Sequence, residues 1–184
     1  MYKRQGLDLG STDDIASLAL FATMPNGDKF VYSINWVPED SLEHRTKKDR
    51  VPYMTWAQEG HVIATPGSAT DYDFIEEKIA WCFDNLPCRE LAVDRFDATH
   101  LITRLKKRGF PVIGFGQGTR SMTPAMKELE RLVLRKEIYH GDNPVLTWCL
   151  SNVVAKMDEA GWMKPDKKRA KEKIDAAVAI LLSL

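Results

Sequence analysis

No run of this sequence is long and apolar enough to cross a bilayer, and its opening, MYKRQGLDLG, lacks the apolar stretch of a signal peptide. The reading is no membrane and a cytoplasmic chain. Cysteine is scarce: Cys82, Cys88 and Cys149 make an odd set of 3 without CxxC spacing. A disulfide scaffold and a cysteine zinc site are excluded, in keeping with a reducing compartment. Neither sign of charge is in excess, since 26 Lys plus Arg balance 26 Asp plus Glu. That excludes a coat of nucleic acid held by bulk charge. It leaves open DNA binding by sorted charge, with acids in a metal site and bases along a rim. There is no GxxxxGK[ST] phosphate loop, no internal repeat and no low-complexity linker. The 184 residues suit one domain, 1–184, around one sizeable core.

What is present changes period along the chain. Gly6–Gly10 (GLDLG), Ser17–Thr23 (SLALFAT) and Lys29–Val37 (KFVYSINWV) are strand-like, with the turn Pro25-Asn26-Gly27-Asp28 between the last two. They predict an antiparallel three-strand meander. Residues 38–60 break the pattern with the charged run Arg45-Thr46-Lys47-Lys48-Asp49-Arg50, which reads as an exposed excursion. Apolar positions at Phe74, Ile75, Ile79, Cys82 and Phe83 then give Asp71–Leu86 helical spacing. A short buried strand, Glu90–Val93, ends in Asp94. Asp97 is placed to cap a helix over 98–108 that Gly109 closes. Pro111–Phe115 is another strand, and Ser121 or Thr123 heads a helix to about Lys136 with Pro124 in its first turn. Pro144–Ala155 is helical, Lys156–Lys164 a hairpin around Gly161, and Lys171–Leu184 a final amphipathic helix. Three strands followed by alternating helices and strands predict an α/β fold with a mixed sheet, the meander extended by parallel strands through right-handed crossovers. This five-stranded-type order, flanked by helices, resembles ribonuclease H-like folds.

Three carboxylates occupy positions that suit a carboxylate poorly. Asp8 interrupts an apolar strand, Asp94 ends a buried one, and Asp175 begins the apolar stretch DAAVAILLSL. A buried carboxylate needs a base, backbone donors or a metal ion. Taken singly, Asp94 reads as a turn or capping residue and Asp175 as a rim residue paired with Lys171 one turn back. Taken together they converge, provided the first and fourth strands are neighbours and the last helix crosses them. Three such acids suit Mg2+ or Mn2+. Two such ions, about 3.5–4 Å apart, stabilise the attacking and leaving oxygens of a phosphoryl displacement.

Five segments carry a resemblance to a known family: GLDLGSTDD at 6–14, AVDRFDATHLITRLKKRG at 92–109, MTPAMKELERLV at 122–133, HGDNPVLTWCLSNVVAKMD at 140–158 and KIDAAVAILLSL at 173–184. In this order they resemble the nuclease domain of tailed-phage large terminase subunits over essentially the whole chain. The resemblance implies a metal-dependent endonuclease that cuts double-stranded concatemeric DNA during genome packaging. It implies catalytic metal ligands at Asp8, Asp94 and Asp175 and two divalent cations. It also implies, as partners, DNA, the terminase ATPase domain, the small terminase subunit and the portal. Complete large terminases carry an ATPase motor, which this chain lacks, so it reads as a domain excised from a longer protein.

Other residues carry weaker signals. Lys167, Lys168, Arg169 and Lys171 form the densest basic run and are candidates for DNA phosphate contact, with the run at Arg45 as the alternative cradle. Asp13, Asp14 and Asp97 are candidate auxiliary ligands that turn formation and capping explain more simply. His140 and Asn152 are candidate supporting polar groups, and the tryptophans Trp56, Trp81, Trp148 and Trp162 are core or rim. Among rival functions, another ribonuclease H-like nuclease, of junction-resolvase or transposase type, stands nearest. An actin-like or sugar-kinase-type phosphate-binding domain would use GLDLGST, but VIGFGQGT at 112–119 lacks the acid it needs.

Overall fold

The computed structural model describes residues 3–10, 13–94 and 98–184. The expected meander is formed by β1 (Lys3–Asp8), β2 (Ala16–Thr23) and β3 (Lys29–Pro38), paired antiparallel in sequence order. β1 starts earlier than its apolar stretch suggests, because Lys3, Arg4 and Gln5 pair through their backbone with Ala22, Phe21 and Leu20. Residues 38–60 depart from the sequence reading. A 3-10 turn leads into α1 (Leu42–Asp49) and α2 (Tyr53–Gln58), and Arg45, Asp49, Tyr53 and Trp56 are all buried. The excursion is therefore part of the core. Its charged run misled because the groups that shelter Arg45 lie far away in sequence.

The rest of the chain alternates helix and strand. α3 (Tyr72–Asn85) follows β4 (Ile63–Thr65), and the Asp71 side chain caps α3 by accepting from the Asp73 N–H. Next come β5 (Cys88–Asp94), α4 (Thr99–Lys107) and β6 (Val112–Phe115). Asp97, the expected cap of α4, lies outside the described residues. α5 (Thr119–Leu134) starts two to four residues before the predicted Ser121 or Thr123 cap. Thr123 is drawn into the helix interior, where its hydroxyl donates to Thr119 O at 2.7 Å and accepts from the Met163 N–H at 2.7 Å. β7 (Ile138–Tyr139), α6 (Pro144–Ser151), the hairpin β8 (Ala155–Met157) and β9 (Met163–Pro165), and α7 (Asp175–Ser183) complete the order.

The main sheet runs β4-β3-β2-β1-β5-β6, with β7 also on β3. β1, β5 and β6 are parallel to one another, so the five expected strands lie side by side in the order β3-β2-β1-β5-β6. β4 and β7 add to the free edge of β3 and are too short to show a period. Alternation along the strands makes two apolar layers. Leu7, Leu18, Ile34 and Trp36 face α3 and α4, whereas Ala19, Val31 and Val37 face α5, α6 and α7. α7 is not amphipathic as predicted. All nine of its residues are buried, as expected of a helix that is apolar all round. Gly6 lets it lie directly on β1, for a Cβ there would fall 2.1 Å from Ala179 O.

Candidate active site

Backbone register brings the acids to one edge of the sheet. Leu7 pairs with Val93 across the parallel β1–β5 ladder, so Asp8 and Asp94 are the next residues on two neighbouring strands. Gly6 faces α7, and Asp8, two residues on, faces the same way. Asp175 is the first residue of α7, where the helix dipole favours an anion. Asp8 is 4 % exposed and Asp175 2 %.

These two carboxylates meet at the ammonium of Lys167, which stands 2.9 Å from Asp8 Oδ2 and 3.2 Å from Asp175 Oδ1. The other Asp175 oxygen accepts from the Ile15 N–H at 3.3 Å. One cation faces two buried anions, so negative charge is in excess. Burial pushes the Asp8 carboxyl up to about 7, the Lys167 charge opposing and the charges of Asp175 and Asp94 adding to the rise. Burial likewise raises Asp175, opposed by Lys167 and reinforced by Asp14. Burial works against the charge on Lys167, but Asp8 and Asp175 outweigh it and hold the ammonium above the ordinary lysine range.

Asp94 is half-buried at the end of β5, near enough for its charge to act on Asp8. Among the described residues, no group of three His, Cys, Asp or Glu side chains is set to hold a metal ion as it stands. The Lys167 ammonium lies where Asp8 and Asp175 point together.

The basic run differs from its sequence reading. Residues 167–173 form turns and bends ahead of α7 rather than its first turn, so Asp175 pairs with Lys167 and not with Lys171. Lys167 reaches inward, with 41 % of its side chain exposed, whereas Lys168, Arg169 and Lys171 are exposed on the surface. The two basic runs meet at one place. Lys48, Lys167, Lys171 and Lys173 all line a cleft of about 220 Å³ beside Asp175. Asp13 pairs with Lys48, and Asp14 lies 3.1 Å from Lys173 Nζ. Sequence reasoning missed Arg45 as a buried group; its one signal was a cation in helical step with Leu42 and Asp49.

The remaining candidates divide. Asn152 Nδ2 donates to Lys173 O at 3.3 Å and so braces the loop before α7. His140 lines a separate groove of about 910 Å³ with Phe30 and Tyr139, at the far end of β3. Trp56 and Trp148 pack together with Tyr53, whereas Trp81 and Trp162 are exposed.

Comparison with known proteins shows the family and the fold. The family described as terminase large subunit, endonuclease domain, matches residues 4–184. The chain is 37% identical over 181 residues to the terminase large subunit of Enterobacteria phage HK97, covering 97% of this chain and 36% of that protein. It is 30% identical over 189 residues to protein YmfN of Escherichia coli K12, covering 96% of this chain and 41% of that one. It thus spans less than half the length of these curated relatives. The crystal structure of the HK97 large terminase matches with a TM-score of 0.92 at 36% identity, over 99% of this chain and 38% of that one. The large terminase nuclease of thermophilic phage G20c with bound magnesium shares the fold, with a TM-score of 0.62 at 11% identity, over 99% of this chain and 79% of that one. The fold is ribonuclease H-like. Matched by the family model from residue 4 to the last residue, the chain belongs to the endonuclease domains of terminase large subunits.

Proposed function

We propose that this chain is a divalent-metal-dependent endodeoxyribonuclease that hydrolyses phosphodiester bonds of double-stranded DNA. The observation that carries the reading is the meeting of Asp8 and Asp175, two buried carboxylates from different elements, on a single cation. Their donor set fits Mg2+ or Mn2+: hard oxygen ligands, excess negative charge and burial that a divalent ion offsets better than one ammonium. Asp8, Asp94 and Asp175 would hold the metal, taken as two ions. Bound there, the ions supply neutralisation of charge on the attacking and departing oxygens of the phosphodiester. The magnesium in the G20c nuclease supports this choice of ion.

The chain's own residues do the rest. Ile15 N–H and Lys167 orient the Asp175 carboxylate, one on each oxygen. Lys48 and Lys171 on the adjoining cleft, with Lys168 and Arg169 beside it, offer cations to the DNA backbone. Such cations contact phosphate and position the duplex without reading bases, so cutting is expected to be largely independent of sequence. By family membership the substrate is concatemeric DNA during genome packaging, in the cytoplasm of a host cell. The ATPase domain, small terminase subunit and portal would be its partners. Incubation with supercoiled plasmid and Mn2+, with and without chelator, tests the reading. Relaxed and linear products that vanish with chelator are expected; intact plasmid with Mn2+ present would refute it.

A further inference from the structure

We propose that Arg45 is a positioning residue of this active site, a buried guanidinium that fixes the Asp13–Ile15 segment and thereby the Asp175 carboxylate. The inference rests on the reading of Asp8 and Asp175 as metal ligands.

Arg45 sits on α1, 32 residues from Asp13 in sequence, yet is only 2 % exposed. A buried guanidinium persists only where its donors are satisfied. Nε donates to Ser41 Oγ at 2.8 Å, and that hydroxyl in turn donates to Pro38 O at 2.7 Å. With one side of the planar fork held this way, Nη1 points at Asp13 O and donates to it at 2.7 Å. Two residues on, the Ile15 N–H donates to Asp175 Oδ2. The chain of hydrogen bonds and backbone runs Pro38, Ser41, Arg45, Asp13, Ile15, Asp175.

Two ion pairs also act on this segment among the described residues. Lys48 with Asp13 is an exposed pair that salt screens, and Lys173 with Asp14 bears on the loop before α7. α1 itself is anchored, since buried Asp49 accepts from Tyr53 Oη at 2.9 Å and Leu42 packs in the core. Arg45 therefore connects a rigid helix to the segment whose Ile15 N–H, among the described residues, holds Asp175. Groups that orient a metal ligand typically carry 10–100-fold in metal affinity.

The test is Mn2+ binding to the intact chain by isothermal titration calorimetry, run beside thermal melts and plasmid cutting across Mn2+ concentrations. Arg45→Met is expected to weaken Mn2+ binding by about 10–100-fold, while cutting at saturating Mn2+ recovers to near the wild-type rate. Arg45→Lys, which reaches Asp13 O but cannot also hold Ser41, is expected to fall between. Val112→Ala, on the opposite face of the sheet, is expected to lose stability and keep its Mn2+ affinity. That separates positioning from general loosening. A folded Arg45→Met protein with wild-type affinity overturns the inference. Should Arg45→Met fail to fold, Ser41→Ala decides: unchanged affinity overturns the inference, and a severalfold loss sustains it. Wild-type chain that binds no Mn2+ removes the metal-site reading itself, and the inference with it.

Discussion

Gly6 and Ala179 approach so closely that no side chain fits between them: a Cβ on Gly6 would fall 2.1 Å from Ala179 O and 2.6 Å from Ser183 N. Both obstacles are backbone, which cannot rotate away. This approach sets the depth of α7 on β1, and Asp8 and Asp175 depend on that depth because each sits one end further along its element.

Gly6→Ala is accordingly expected to push α7 outward. The cost of overpacking is about 1–3 kcal/mol, a fall in Tm of roughly 2–12 °C for a chain of this size. Because α7 carries Asp175, Mn2+ affinity is expected to fall with it. A melt at the wild-type temperature with unchanged Mn2+ binding would show that α7 slides without loss.

The ligand reading predicts that Asp8→Asn, Asp94→Asn and Asp175→Asn each abolish plasmid cutting. Each loss is expected to exceed the roughly 10–100-fold effect of losing a supporting group. Without metal, Asp8→Asn removes one of two buried like charges and leaves Lys167 paired with Asp175. Its metal-free melting temperature is expected to equal or exceed that of the wild type. Full cutting by any one variant would remove that residue from the site.

How far the sequence discloses this arrangement depends on the range of the forces involved. The β1–β3 meander and the period of α3 are local properties, and their patterns appear in the strings SLALFAT, KFVYSINWV and DFIEEKIAWCF. Asp8 stands out because it interrupts an apolar run, and Asp175 because it begins one. Long-range satisfaction leaves no such trace. Arg45 is buried where Asp13 O, 32 residues away, accepts from it, and its neighbour Lys47 is an ordinary surface residue. Lys167 reads as one more surface base beside Lys168 and Arg169; only the packing of α7 on β1 brings two acids to it. β4 and β7 exist because β3 offers a free edge.

Metal affinity and stability are expected to respond to pH in opposite senses. The Asp8 carboxyl stands at about 7 in the fold against 3.8 for the ordinary group. Between those values the folded chain binds more protons than the unfolded one, so this site lowers metal-free stability as pH rises from about 4 to 7. Metal binding must displace that proton. The Mn2+ concentration for half-maximal cutting is therefore expected to rise as pH drops below about 7, approaching tenfold per pH unit for one proton released. Metal-free melts and Mn2+ titrations from pH 5 to 8 measure both, with Asp8→Asn isolating the site. A half-maximal concentration that stays flat below pH 7 would contradict the assignment.

DNA binding is expected from the exposed part of the basic loop and not from Lys167, whose ammonium is engaged with Asp8 and Asp175. Each DNA phosphate left without its protein cation flattens the slope of log affinity against log salt by about 0.9. Replacing Lys168, Arg169 and Lys171 together with Ala is expected to weaken duplex binding equally for all sequences and to flatten the slope by up to about 2.7. Arg169 contributes least, because Asp166 Oδ2 lies 3.7 Å from its Nε. The Arg45 run is unsuitable as a control, since Arg45 is buried and Lys48 lines the same cleft. Lys106 and Lys107 serve instead: both are exposed at the end of α4, on the opposite face of the sheet. Their double Ala variant is expected to keep the wild-type slope. Lys167→Met is a separate case. It leaves two buried carboxylates without their ammonium, so the metal-free Tm is expected to fall and Mn2+ to restore it, while the salt slope changes little. Equal slopes in the wild type and the Lys168, Arg169, Lys171 triple variant would assign that loop to solvent and move the DNA path elsewhere.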